Sequence, residues 1–173
     1  DHESLLRRIL DQLPVELNWL SDQYAWAAMQ GYLLKGARAL IWGRADDGKR
    51  HFEKAIKLGA RFDEYFLNTL THKLLDYEAE FGAEAGEDVF QALIPFLEKL
   101  GGKSSVRELK SSLSINQAFK NYHAGDRANV PAQILDAIIN NPRYLVNRGT
   151  LSVLFHSITG NGNKQDQQAT KSR

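Results

Sequence analysis

The 173-residue chain has no cysteine, which excludes a disulfide framework, a thiolate zinc site and a cysteine nucleophile together. It also lacks any apolar run near the roughly 20 residues needed to cross a bilayer, and the opening stretch from Asp1 to Asp11 is too charged for a signal peptide. Neither sign of charge is in surplus. With 22 basic and 21 acidic side chains, no global field draws the molecule toward nucleic acid or anionic lipid. These absences predict a soluble, cytoplasmic protein with no membrane span and no nucleic-acid partner.

Several catalytic signatures are missing as well. None of His2, His51, His72, His123 and His156 belongs to a His-Glu-x-x-His zinc helix. No Gly-x-Ser-x-Gly elbow supports serine hydrolysis. Gly101-Gly102-Lys103-Ser104 ends like a phosphate loop but lacks the earlier glycine and a leading strand, so it reads as a connector between helices. We therefore expect no catalytic, cofactor-binding or metal-binding residue in this segment.

What is present is helical periodicity. The content of 43% hydrophobic and 25% charged residues suits one ordinary globular core. Leu5, Leu6, Ile9, Leu10 and Leu13 predict a short amphipathic helix ending near Pro14. Ser21 is a candidate cap for a second helix, whose small-residue stripe of Ala27, Ala28, Gly31 and Ala37 runs toward Trp42. Gly43 to Gly48 reads as a turn with Gly43 as left-handed cap, and Phe52, Ala55 and Ile56 line the returning helix.

Further helices are predicted over 63–81 and 87–100, the first closed by Gly82 to Gly86. Pro95 should kink or break the second, since an interior proline costs about 3 kcal/mol. Ser104 or Ser105 is a candidate cap for a helix carrying Val106, Leu109, Leu113, Ala118 and Tyr122. Its antiparallel partner covers 130–140. Pro142 opens a last segment interrupted at Gly149, with Leu151, Leu154, Phe155 and Ile158 as its apolar face. The expected fold is all-α, a single domain over residues 1–160 built of stacked antiparallel hairpins, followed by a flexible polar tail over 161–173.

Tyr32, Gly36, Gly43, Phe52 and Ala55 have the spacing of a tetratricopeptide hairpin, and Ala118, Gly125, Ala137 and Pro142 repeat it 82 positions on. Because 82 is not a multiple of 34, any such array is irregular. The segment Asn141-Pro142-Arg143-Tyr144-Leu145-Val146-Asn147-Arg148-Gly149-Thr150-Leu151-Ser152, with Gly160 and the hairpin around Trp42 and Phe52, resembles the carboxy-terminal tetratricopeptide-like helical region of bacterial family 2 glycosyltransferases. The resemblance implies a parent enzyme whose separate α/β domain transfers sugar from a nucleotide donor. The Asp-x-Asp motif of that domain is absent here, so no catalytic residue carries over. The start at Asp1, almost directly in a helical pattern, likewise predicts a piece of a longer protein.

Two surfaces are candidates for interaction. Lys49, Arg50, Lys54 and Lys57, with Arg61, form a basic stripe suited to a phosphate or an acidic surface, although a solvated helix face is the simpler reading. Phe119, Tyr122 and His123 form an aromatic group near a helix end. Seven carboxylates between Leu74 and Glu98, with no Lys or Arg among them, read as solvated helix faces. Two functions remain open. One is a non-catalytic accessory domain that positions the catalytic domain, acceptor or a partner of a family 2 glycosyltransferase. The other is a freestanding tetratricopeptide-like scaffold for protein partners. A self-sufficient enzyme fits least well.

Overall fold

The computed structural model describes residues 8–159, and every secondary-structure element among them is a helix. The structure is all-α. Its main elements are α1 (Asn18–Ile41), α2 (Ala45–Lys57), α3 (Glu64–Phe81), α4 (Ala83–Ala124), α5 (Val130–Asn140) and α6 (Arg148–Thr159), with short 3₁₀ turns at Val15–Leu17 and Pro142–Val146. The expected polar tail lies outside the described residues, as does the beginning of the first expected helix, of which residues 8–11 are helical.

Helix α1 starts a turn earlier than Ser21 implies, because the 3₁₀ turn after Pro14 feeds directly into it and leaves Ser21 inside. It ends as the glycine signal predicts. Gly43 adopts φ +70°, its amide donates to Leu40 O at 2.9 Å, and the Arg44 amide donates to Ala39 O at 2.8 Å. This pair of bonds satisfies carbonyls that the helix end would otherwise orphan. The turn nevertheless closes by Arg44 rather than reaching Gly48. Asp46 and Asp47 lie in the first turn of α2, where acidic groups complement the helix dipole, and Gly48 is buried within the helix.

Gly48 serves the crossing of α1 and α2. A Cβ there would lie 2.7 Å from the Leu40 side chain, and one at Gly36 would lie 2.8 Å from the Phe52 ring. The two glycines let the backbones approach and let Phe52 fill the groove. Phe52 is fully buried, stacks on Phe96 at 4.6 Å between centroids, and meets the edge of Phe66 at 6.4 Å. Around it gather Leu33, Ala37 and Leu40 of α1, Leu70 and Leu74 of α3, and Leu93, Leu97 and Leu109 of α4.

Asp63 caps α3 by accepting the Phe66 amide at 2.8 Å, and its other oxygen accepts from the buried side-chain amide of Gln30. The start of α3 is thereby tied to the middle of α1. Only Gly82 separates α3 from α4, so the second helix begins at Ala83, ahead of the expected Glu87.

The break in α4 falls at the glycines, not at Pro95. Gly101 and Gly102 leave helical geometry, with Gly102 at φ +71° and ψ −167°, while the helix continues through Pro95. Pro95 is exposed, and the flanking Leu93 and Leu97 are fully buried, so packing of the inward face outweighs the lost amide. Ser104 and Ser105 do not cap a new helix. Their hydroxyls face carbonyls before them: Ser104 donates to Gly101 O, and the single Ser105 O–H is shared between Leu97 O at 2.6 Å and Gly102 O at 2.7 Å.

Beyond the kink, α4 carries a second core. Ile115 and Ala118 pack with Val130, Ile134 and Ala137 of α5 and Val153 of α6. Small hydroxyl side chains fill the tight contacts between helices: Ser111 donates to Ala137 O at 2.7 Å, Ser114 to Asp136 at 2.6 Å, and Thr71 of α3 to Ser112 at 3.0 Å. The last segment is interrupted at Asn147 rather than Gly149. Asn147 accepts the Thr150 amide through its side chain at 3.1 Å and the Leu151 amide through its carbonyl at 3.1 Å, which starts α6.

Candidate functional site

The basic stripe is exposed along the outer side of α2, opposite the buried Gly48, Phe52 and Ala55. Lys49 and Lys57 face solvent. Arg50 pairs with Asp47, which also lies 3.8 Å from Arg44, and Lys54 stands over the Tyr32 ring at 4.3 Å. Phe119 and Tyr122 are half-buried against the second core, Tyr122 lies beneath Arg127 at 5.2 Å, and His123 is exposed beside both aromatics. The cationic and aromatic groups thus pack on different cores. They form two separate surface features.

At the carboxy-terminal end of the fold, the structure gives the apolar face of α6 a direction that periodicity alone does not. Leu151, Phe155 and Ile158 share one face of α6 by helical spacing, as expected, but that face points outward: Phe155 is 64% exposed and Ile158 61%. Of the four residues expected to form the apolar face, only Leu154 packs against the second core. The buried face consists of Thr150, Val153 and Ser157, and Ser157 satisfies its hydroxyl on Val153 O at 2.7 Å. Small side chains at intervals of three and four are the sequence signal that this face, not the larger apolar one, meets a neighbouring helix.

The same end of the molecule exposes more apolar surface. Leu135 and Ile139 of α5 are 52% and 78% exposed, and Leu145 and Val146 of the 3₁₀ turn are exposed between α5 and α6. Burying a fully exposed side chain of this size is favourable by about 1.5–3 kcal/mol, an upper bound for these partly buried residues, so covering several of them together would favour association.

A polar groove of about 620 Å³ lies alongside, lined by Asn68 of α3, Arg107 of α4, and Asn140, Asn141, Arg143 and Tyr144. Its side chains are partly committed to the fold. Asn140 donates to Asp136 O at 2.8 Å, and Asn141 caps the 3₁₀ turn by accepting from Arg143. Burial pushes the Tyr144 hydroxyl further above the ordinary tyrosine value. Among the described residues, no three His, Asp or Glu side chains are placed to hold a metal ion, and no helix is long and apolar enough to cross a membrane. No protein-family model, curated protein or solved structure matches the chain.

Proposed function

We propose that this is a non-catalytic helical docking domain, the accessory part of a larger family 2 glycosyltransferase, seated against the rest of that chain through the apolar end formed by α5, the following 3₁₀ turn and α6. The outward orientation of Leu151, Phe155 and Ile158 carries the reading, because a helix that buries Thr150, Val153 and Ser157 while exposing larger apolar residues is shaped for a second contact. Leu145, Val146 and Leu151 belong to the segment 141–152 that bears the family resemblance, which supports a domain of that parent as the occupant. In this role the module positions the catalytic domain or its acceptor and needs no cofactor of its own.

The close helix crossing at Gly36 and Gly48 favours one second reading, a freestanding tetratricopeptide-like scaffold for another protein. The coding frame around this segment separates the two. The accessory-domain reading expects a nucleotide-sugar domain upstream of Asp1. A complete frame without one, together with a stoichiometric protein partner recovered from cells, supports the scaffold instead.

A further inference from the structure

A cleft of about 520 Å³ opens between the carboxy-terminal half of α1 and the start of α2, lined by Lys35, Arg38, Trp42, Arg44 and His51. Four of its five lining side chains are basic, and the fifth is an indole 59% exposed at the mouth. The local sequence explains the convergence. Lys35, Arg38 and Trp42 recur at three- and four-residue spacing on one face of α1, and the tight turn at Gly43 brings Arg44 and α2 back beside them.

The charges are poorly compensated. The Asp47 carboxylate is shared between Arg44 and Arg50. Neither Lys35 nor Arg38 lies within ion-pair distance of a carboxylate among the described residues, although Arg38 also borders a neighbouring cleft containing Asp76 and Glu80. Lys35 instead stands 5.7 Å from the Tyr32 ring, and that ring stacks on the His51 imidazole at 6.1 Å. His51 titrates below its ordinary value because of burial first, then Lys35, Arg50 and Arg44, with Asp47 opposing. Lys35, Arg38 and Arg44 thus bring three cations to the cleft whatever the charge on His51.

We propose that this cleft binds a small phosphate-bearing ligand with a planar ring, in chemical class a nucleotide, with its phosphates on Lys35, Arg38 and Arg44 and its ring against Trp42. Guanidinium groups match phosphate oxygens through paired, charge-assisted hydrogen bonds, and lysine adds a point charge. An exposed indole offers a base an apolar face, worth about 1–3 kcal/mol when a base stacks on it. The site lies on the first hairpin, away from the apolar end, and does not depend on the docking role.

The test titrates the full chain with ADP and, separately, with pyrophosphate, following the three tryptophan indole N–H signals by NMR. The expected result is saturable one-to-one binding of ADP that moves the Trp42 signal and leaves those of Trp19 and Trp26 in place. Pyrophosphate should bind about tenfold or more weakly, since it lacks the ring. The double variant K35A/R38A, both positions being exposed, should keep its helical circular dichroism spectrum and lose at least about tenfold in ADP affinity, the order expected for charge-assisted bonds. Absence of saturable ADP binding, or unchanged affinity in the double variant, would overturn the site. Equal affinity for the two probes would overturn the placement of the ring on Trp42.

Discussion

At the scale of single residues, the fold depends on two glycines and the ring between them. Phe52 has no open side into which to retreat from an added methyl group at Gly36, because it is fully buried and stacked on Phe96. Gly36→Ala should therefore destabilise the protein by about 1–3 kcal/mol in urea unfolding. Gly31 sits in the same helix with nothing within 4 Å of an added Cβ, so Gly31→Ala should stabilise by about 0.5–1 kcal/mol. A Gly36→Ala protein as stable as the parent would contradict the assigned crossing. His51 supplies a second prediction. Its folded-state pKa lies below 6.5, so the unfolded chain binds more protons around that pH, and this contribution to stability is complete above 6.5 and lost as the pH falls toward the folded value. An NMR titration should give a midpoint below 6.5 that rises in Lys35→Ala; a midpoint at or above 6.5 would refute the proposed surroundings.

At the scale of elements, the decisive feature is where α4 changes direction. The backbone of Gly102, with φ +71° and ψ −167°, is open essentially to glycine alone. Gly102→Ala should cost about 1–3 kcal/mol although no atom crowds the site, whereas Pro95→Ala should stabilise, by up to about 3 kcal/mol, by restoring a helical amide. Calorimetric unfolding of both variants checks the assignment, and the opposite ordering would place the break at Pro95. Helix existence was legible in the sequence because apolar residues recur every three or four positions, and the end of α1 was legible because Gly43 terminates a periodic run. The role of Gly48 was not. A glycine near a turn and a glycine at a helix crossing look alike until the partner helix is placed. The serines of α4 were hidden for a similar reason: no sequence pattern sets Ser111 and Ser112 apart from solvent-facing serines, but they are buried where hydroxyls bond across to α5 and α3.

At the scale of the whole molecule, α4 links two cores of different character. The first is large and sealed around Phe52, while the second is small and bounded by helices that turn their bulkier apolar side chains outward. Periodicity identified the face of α6 but not its direction, since an amphipathic pattern does not say which neighbour covers the apolar side. The basic residues of α2 were legible as a charged face, yet the cleft is lined by a different set, Lys35 and Arg38 of α1 with Trp42, Arg44 and His51, a grouping visible only once the hairpin closes. An apolar end of this kind would gain stability from being covered, and that gain is what supports the proposed docking role.

Hydrogen–deuterium exchange on residues 148–159, compared between residues 1–173 alone and the whole product of the gene, tests the proposed docking role most directly. The docking role predicts marked slowing across α6 in the complete protein, with little change in α1 and α3. Equal exchange of α6 in the two forms would mean that nothing covers Leu151, Phe155 and Ile158, and would contradict it.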